Sequence, residues 1–319
     1  MSRQPFRFGL IKKIIAFGII VFVLDLAIGG LLRILYFRQS SGFLFRRTWT
    51  IEKTTASLIV FGDSRAAHSY VPQSFENILD LEFYNAGCEG VGIEYHEAVL
   101  RAILIRHRPQ FIILDLSPAE FGRPDNSRAR LSVLFPYLRR HPEIRTILRF
   151  FGPFDKIKLL SQIYPFNSNI ISIFIGNLSF NKKRRANLQG YVPLDGQWNE
   201  PIRNIEIFPE IDLQEDALAS FHNFLSLTKA HGVPTIVIVS PVYQKWTRAT
   251  RTMSLAKEIC REMKTVFLDF SQAEEFVNYR EYFADEFHFN QKGASVFSTE
   301  MAKQIGRILK IKKISLPTQ

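Results

Sequence analysis

The sequence predicts an α/β domain built on a mostly parallel five-stranded β-sheet, with a helical insertion and an N-terminal transmembrane helix. Three observations lead to this fold class. Short apolar runs rich in β-branched residues alternate with segments of helical periodicity, a long stretch separates the third run from the fourth, and an apolar segment lies near the N-terminus. With 46% hydrophobic and 22% charged residues among 319, the composition excludes long disorder.

The N-terminal segment 14–32 is an apolar run of nineteen positions interrupted only by Asp25. A helix of this length rises about 28 Å, which roughly spans the hydrocarbon core of a bilayer. An uncleaved signal-anchor is favoured over a cleaved signal peptide, because the apolar run continues beyond the small-residue stretch Ala27-Ile28-Gly29. We therefore predict an anchor region over 1–50 and an extracytoplasmic domain over 51–319.

Asp25 is costly at the centre of a bilayer, so we expect it near the outer interface or against a partner helix. The formal net charge is +11, and the first 50 residues hold eight basic residues against this one acid. Such a flank predicts lipid headgroups as the partner and not nucleic acid. The basic run Lys182-Lys183-Arg184-Arg185 is interpreted as a solvated loop, because no nucleic-acid-binding motif accompanies it.

Five buried strands and three helices alternate through the domain. The predicted strands are Ser57–Gly62, Leu81–Asn85, Phe111–Leu116, Thr235–Val242 and Thr265–Phe270. The predicted helices are Glu94–Arg106, Asp212–His231 and Lys292–Ile308. Strands separated by helical segments favour a doubly wound parallel sheet.

The stretch 119–210 is too long for a simple crossover between the third and fourth strands. It holds two helix-compatible, apolar-rich segments, Arg128–Phe151 and Ile157–Leu178, which predict an inserted helical subdomain or lid. The alternative for Ile157–Leu178 is a second transmembrane span. Pro165 and the polar run Asn167-Ser168-Asn169 argue against that alternative.

Three polar motifs stand at positions where a parallel sheet exposes loops at its carboxyl edge. They are Gly62-Asp63-Ser64 after the first strand, Asn85-Ala86-Gly87 after the second, and Asp285-Glu286-Phe287-His288 before the last helix. Each has a plain alternative when taken alone: an N-capping serine, a simple turn, and a loop into a helix. Together they indicate nucleophilic catalysis.

Asp285 three residues before His288 lets one loop supply a general base and the carboxylate that orients it. The histidine would take the proton of Ser64, whose position at a helix N-terminus favours developing negative charge. A metal site is not predicted, because the remaining histidines show no ligand spacing. The two cysteines, Cys88 and Cys260, exclude a disulfide framework, and no cofactor is expected.

Strand–GDS, strand–NAG and DxxH before the final helix resemble the SGNH/GDSL hydrolase superfamily over roughly residues 57–309. The resemblance implies a flavodoxin-like three-layer sandwich. It further implies Ser64 as nucleophile, the amides of Ser64 and Gly87 as oxyanion donors, and Asp285 with His288 as the dyad. With its N-terminal anchor, the chain is similar to envelope-facing members of the DltD-like and alginate-acetylation types.

One family feature is missing. The third strand ends in Asp115-Leu116-Ser117-Pro118, where the family has an asparagine that donates to the oxyanion. Ser117 is a candidate substitute through its hydroxyl, although a turn role is the alternative. Arg65 is a candidate for steering an anionic substrate or for pairing with a neighbouring acid, and Asn85 is a candidate for binding substrate.

These observations lead to two functional hypotheses. In the first, an acyl-Ser64 intermediate transfers or hydrolyses an ester, with O-acetyl on a cell-envelope glycan as the favoured ester and a membrane-bound O-acyltransferase as partner. In the second, the chain is a non-catalytic assembly or carrier protein of a polysaccharide-modification machinery. The complete set Ser64, Asp285 and His288 favours the first hypothesis, and the missing asparagine favours the second.

Overall fold

The computed structural model describes residues 4–122, 129–178, 188–210 and 212–314. Contacts divide the chain into two compact units. The first, here the anchor unit, consists of 1–45 and 132–186, and the second, the sheet unit, consists of 46–131 and 187–319. The middle of the predicted insertion therefore groups with the N-terminal helix, while the boundary at residue 50 stays a prediction. The basic run 182–185, predicted to be a solvated loop, lies outside the described residues.

The sheet unit is built on five parallel strands. These strands are β1 (Leu58–Gly62), β2 (Phe83–Asn85), β3 (Phe111–Asp115), β5 (Thr235–Val239) and β7 (Val266–Asp269). Their order across the sheet is β2-β1-β3-β5-β7. All five lie within the predicted runs, and the predicted α/β fold class is confirmed.

Helices cover both faces of this sheet. They are α3 (Ser64–Ser69), α4 (Pro72–Leu79), α5 (Ile93–Arg106), α8 (Glu215–Ala230), α9 (Arg251–Glu262), α10 (Glu274–Val277) and α11 (Gln291–Ile314). Helix α11 packs on α3 and α4, and α5 packs on α8. The central strands β1, β3 and β5 are buried at every position, which explains why they read as unbroken apolar runs.

Alternation along β1 shows how the two faces are filled. Leu58 and Val60 belong to the core shared with Phe297 of α11. Phe61 points the other way, and its ring centre lies 5.3 Å from that of Phe224 in α8. Each helical layer thus covers one set of alternating side chains, which gives three layers.

A second, two-stranded parallel sheet pairs β4 (Arg203–Ile207) with β6 (Gln244–Arg248). Neither strand is in the sequence-based prediction. Four of the five residues of β4 are exposed, so it carries no buried apolar run that would reveal it.

In the anchor unit, α1 spans Gln4–Phe37 and is long and apolar enough over Gly9–Phe37 to cross a membrane. Helix α2 (Gly42–Glu52) follows it, with its first four residues in the anchor unit and the rest in the sheet unit. The inserted stretch consists of short elements: 3₁₀ helices over Arg130–Tyr137, Pro142–Phe150 and Tyr164–Asn169, and the α-helices α6 (Pro153–Lys158) and α7 (Ile170–Asn177).

The two segments predicted to be helix-compatible, Arg128–Phe151 and Ile157–Leu178, consist of short helical pieces where the structure describes them. Prolines cause the breaks, because proline lacks an amide hydrogen and its ring clashes with the preceding turn. They begin or interrupt the observed pieces: Pro136, Pro142, Pro153 and Pro165. The alternative of a second transmembrane span over Ile157–Leu178 falls for the same reason.

Asp25 makes several polar contacts between α1 and the inserted stretch. Its carboxylate accepts hydrogen bonds from the Ser161 hydroxyl at 2.5 Å and from the amides of Gln162 at 2.7 Å and Ile163 at 3.3 Å. Arg33, about two turns further along α1, donates to the Gln162 side chain at 2.8 Å. A Cβ atom at Gly29 would overlap Gln162, so the glycine permits this approach. The sequence-based expectation for Asp25 is the outer membrane interface or a partner helix, and it does not include this segment.

We expect Asp25→Ala to loosen the segment around Ile163, because three donors lose one acceptor. An unsatisfied donor costs about 1–3 kcal/mol, which corresponds to roughly five- to hundredfold faster amide exchange. Hydrogen–deuterium exchange of the full chain in detergent measures this effect on peptides that contain Gln162. Asp155→Ala is the matched control, because Asp155 pairs with Lys158 in an exposed ion pair. Equal exchange in both variants would contradict the role of Asp25.

Candidate active site

Ser64 begins helix α3 directly after β1. The last strand residue, Gly62, has φ +147°, and a Cβ atom there would lie 2.6 Å from the Asp115 carbonyl oxygen, so only glycine fits. Asp63 is the N-cap, and its side chain accepts the Arg65 amide hydrogen at 2.9 Å. Ser64 is therefore the first helical residue, and its own amide has no acceptor within the helix.

Ser64, His288 and Asp285 form a continuous chain of hydrogen bonds. Nε2 of His288 lies 2.8 Å from Oγ of Ser64. Nδ1 of the same ring lies 2.9 Å from both carboxylate oxygens of Asp285. Because a carboxylate only accepts, Nδ1 carries the hydrogen and Nε2 offers its lone pair to the serine hydroxyl. This is the arrangement that general-base activation of a serine requires.

Asp285 also organises its own loop. Its Oδ1 accepts the amide hydrogens of Phe287 at 2.7 Å and of His288 at 2.9 Å. Burial acts to raise the pKa of Asp285, but the hydrogen bonds from the His288 ring and the Phe287 amide outweigh it and lower the pKa below the usual value. The residue therefore stays a carboxylate, which orients the ring and stabilises an imidazolium.

The second sheet supports this loop through Glu286. The Glu286 carboxylate accepts hydrogen bonds from Arg203 of β4 at 3.1 Å and from Gln244 of β6 at 2.8 Å. Its carbonyl oxygen accepts the Tyr243 amide at 2.8 Å. Sequence reasoning did not find these residues, because β4 and β6 leave no periodic apolar signal.

Gly87, the predicted second oxyanion donor, is engaged within its own turn. Its amide donates to Oδ1 of Asn85 at 2.9 Å. Gly87 follows Ala86, whose amide extends the β1 pairing by donating to Val60 at 2.7 Å. Donation by Gly87 to an oxyanion therefore requires this bond to be shared or exchanged, whereas the Ser64 amide needs no such change.

Asn85, the candidate for binding substrate, is turned into the protein. It is only 1% exposed, and its side-chain amide donates to the carbonyl oxygens of Ala66 at 2.8 Å and Tyr70 at 3.1 Å. Together with the bond to Gly87, these contacts use its polar atoms internally. Asn85 ties the second motif to helix α3, which carries Ser64.

Arg65 is likewise not available to steer a substrate, because it is only 4% exposed. Its guanidinium lies 3.6 Å from Asp63 and 3.7 Å from Asp115, and it donates to the Ser240 carbonyl at 3.3 Å. The alternative of pairing with a neighbouring acid therefore describes it. Burial raises the pKa of Asp115 to about 6, although the positive charge of Arg65 opposes that rise.

Ser117 stands at the edge where the prediction put it. It lies two residues beyond Asp115, which is the register partner of Gly62 in β1. Its carbonyl oxygen accepts the Glu120 amide at 3.1 Å, which is a turn contact. Oxyanion donation by the Ser117 hydroxyl stays a prediction.

His68 is a site residue that sequence reasoning missed. It lies on α3, one turn after Ser64, and its ring centre is 5.1 Å from that of His288 in an edge-to-face arrangement. Nδ1 donates to the Val192 carbonyl oxygen at 2.7 Å. Burial lowers the pKa of His68, and nearby His288 adds to this, while the bond to Val192 opposes it. The spacing of four from the serine was the available signal, because such residues share a helix face.

Among the described residues, no group of three or more histidine, cysteine, aspartate or glutamate side chains is arranged to hold a metal ion. The polar side chains next to Ser64 instead bond to one another, from the serine through His288 to Asp285. What these three side chains can do chemically is move a proton and form a covalent bond through Oγ.

No protein-family model matches the chain, and no curated protein sequence matches it. Solved structures do. The esterase EstA of Pseudoalteromonas sp., inhibited by monoethylphosphonate, is 11% identical with a TM-score of 0.41 over 79% of this chain and 98% of its own. A Bacteroides fragilis protein provisionally assigned as an acylhydrolase is 11% identical with a TM-score of 0.38 over 82% and 95%. At 11% identity, the activities of these two proteins cannot be assigned to this chain.

We expect His68→Gln to weaken the loss of thermal stability on acidification. Unfolded His68 takes up a proton near its ordinary pKa of 6.5, and folded His68 only at lower pH. Its contribution to stability is therefore complete above about pH 6.5 and falls as the pH drops below it. Melting temperatures between about pH 7.5 and 5 measure the difference. The exposed His222 supplies the control variant His222→Gln, and identical pH profiles of all three proteins would contradict the prediction.

Proposed function

We propose that this chain is a membrane-anchored serine hydrolase or acyltransferase of the SGNH type that acts on ester bonds. The observation that carries the proposal is the hydrogen-bonded chain from Ser64 through His288 to Asp285. The motif resemblance over residues 57–309 supports it. The long apolar α1 supports anchoring. The sheet unit is placed on the extracytoplasmic side because an N-terminal export signal keeps its own N-terminus inside; the basic residues flank both ends of the apolar run and do not decide the orientation.

The proposed reaction begins when Oγ of Ser64 attacks the carbonyl carbon of an ester. Nε2 of His288 takes the hydroxyl proton as the C–O bond forms, and Asp285 stabilises the resulting imidazolium. The tetrahedral intermediate then expels the alcohol, which receives that proton from His288, and leaves acyl-Ser64. Water or an acceptor hydroxyl, deprotonated by the same ring, attacks the acyl carbon and frees the serine.

The developing oxyanion is stabilised first by the Ser64 amide at the start of α3. Gly87 joins it when its amide exchanges Asn85 for the oxyanion, and Ser117 is the proposed third donor. Loss of a single donor typically costs about 10²–10³ in rate. A site with one free amide at rest therefore favours slow ester hydrolysis. Alternatively, it favours acyl transfer in which binding of the substrate rearranges the Asn85–Gly87 turn.

We further propose an O-acylated cell-envelope glycan as substrate, with acetyl as the acyl group and a membrane-bound O-acyltransferase as partner. Support comes from the proposed anchor and from the resemblance to envelope-facing proteins. The alternative is a non-catalytic assembly or carrier protein. The Gly87 amide held by Asn85 favours that alternative, because it leaves the oxyanion site incomplete at rest.

Covalent labelling of the full chain in detergent by a fluorophosphonate probe tests the nucleophile. Oγ of Ser64 displaces fluoride from phosphorus, so we expect labelling of the natural protein and none of Ser64→Ala. Ser69→Ala, five residues further along α3, is the matched control and should label normally. A folded natural protein that does not label would support the non-catalytic alternative.

Asp285→Asn tests the carboxylate. Without the acceptor at Nδ1 the ring loses its productive tautomer, and hydrolysis of p-nitrophenyl acetate should fall by roughly 10³–10⁴. Asp195→Asn is the matched control, because the Asp195 carboxylate accepts from Gln291 at 2.5 Å. Comparable losses in the two variants would show a folding effect and remove the orienting role from Asp285.

A further inference from the structure

The inserted stretch of the anchor unit exposes an apolar surface. The surface is formed by α6, α7 and the residues that follow them, and its large side chains are Phe154, Ile157, Leu160, Ile171, Phe174 and Leu178. Leu160 is 77% exposed and Ile171 is 74% exposed. Their spacing of three to four residues aligns them along one side of each short helix. Here they are called the outer apolar face.

Polar groups of the same stretch point the other way. Ser161 and the amide of Gln162 donate to Asp25 of α1 at 2.5 and 2.7 Å. The Asn177 side chain donates to the Leu35 carbonyl of α1 at 2.9 Å and to Ile173 at 2.7 Å. Polar groups satisfied inside and apolar groups outside reverse the pattern of a protein surface in water.

Charge is also absent from the part of the stretch that carries four of the six side chains of the face. Residues 159–178 contain no lysine, arginine, aspartate or glutamate. The charges of α6 lie outside this run, where Lys158 pairs with Asp155 at 2.9 Å and covers the Phe154 ring at 4.8 Å. A long lysine side chain at such a position reaches from apolar surroundings to water.

The contacts with α1 give the depth of this surface. Lys13 and Arg33 bound the apolar part of α1, and the nineteen residues between them rise about 28 Å, close to the thickness of the hydrocarbon core. Asp25 stands eight residues before Arg33, about 12 Å deeper. The segment hydrogen-bonded to Asp25 therefore lies at that depth whenever α1 crosses a bilayer, and Leu160 directly precedes it.

We infer that the outer apolar face is embedded in lipid acyl chains, in the leaflet that surrounds the C-terminal half of α1. The inference rests on the proposed anchoring of α1 and extends it. The chain then holds the membrane through one spanning helix and a second, monotopic element that enters a single leaflet. The helix α7 and the 3₁₀ helix before it pack against α1, which itself exposes large apolar side chains along most of its length. An exposed apolar face beside an exposed apolar helix of membrane-spanning length identifies lipid rather than a protein as its occupant.

Site-specific labelling of the full chain tests the inference. The background is Cys88→Ser, and Cys260 is left because it is fully buried. Leu160→Cys and Ile171→Cys are each labelled with a nitrobenzoxadiazole fluorophore and reconstituted into phosphatidylcholine–phosphatidylglycerol vesicles. We expect a several-fold loss of fluorescence with lipids that carry a doxyl group on the acyl chain, and little quenching by iodide in the water phase.

Two reference positions separate the possible failures. Val21→Cys reports whether α1 is in the bilayer, and Ile105→Cys on α5, 71% exposed, reports a water-facing label. Doxyl quenching at Val21 with iodide quenching at Leu160 and Ile171 would overturn the inference, leave the anchor intact and point to a protein as the occupant. Iodide quenching at Val21 as well would remove the anchor and the inference together.

Discussion

The hydrogen bond between Ser64 and His288 joins two parts of the sheet unit that are 224 residues apart in the chain. A bond of 2.8 Å tolerates little displacement at either end, so both ends are held by other contacts. On one side Gly62 and the Asp63 cap set the start of α3. On the other side Asp285 binds two amides of its own loop. The geometry of this bond therefore depends on two local turns, each held by its own hydrogen bonds.

Much of the fold and of the candidate site could be predicted from the sequence, because burial and turn chemistry leave local signals. The three central strands β1, β3 and β5 are apolar runs because helices cover both faces of the sheet. Aspartate three residues before histidine is visible because a single loop must bring both side chains to one point. The carboxyl edges of β1 and β2 could be located because each strand ends in a glycine-containing motif.

The remainder depends on contacts that sequence spacing does not encode. Arg65 and Asn85 are polar residues close to Ser64 and could each be expected to face a substrate. Only their low exposure, 4% and 1%, shows that their side chains instead hold the turns after β1 and β2. The strands β4 and β6 are largely exposed or interrupted by polar residues and therefore leave no alternating pattern. The Gly87 amide can donate to an oxyanion only when it does not donate to Oδ1 of Asn85. The residue types alone do not determine which of the two acceptors it takes.

The anchor unit and the candidate active site use polar groups in opposite ways. Around Ser64, hydrogen bonds leave one lone pair of His288 directed at the serine hydroxyl. Around Asp25, three hydrogen bonds occupy the carboxylate, which is therefore not available to take up a proton from a substrate. The first arrangement leaves a proton acceptor beside a hydroxyl, and the second makes a charged residue tolerable on a long apolar helix.

The Asp25 contact has a consequence for biosynthesis. Its donors at Ser161, Gln162 and Ile163 lie 136 to 138 residues later in the chain. At a synthesis rate of about 5–20 residues per second, α1 emerges roughly 7–28 s before its partners exist. During that interval the carboxylate has none of these donors, so α1 adopts its final surroundings only after the middle of the chain has been translated. The contacts that hold the inserted stretch on α1 therefore form after α1 has been translated, and not while it is being synthesised.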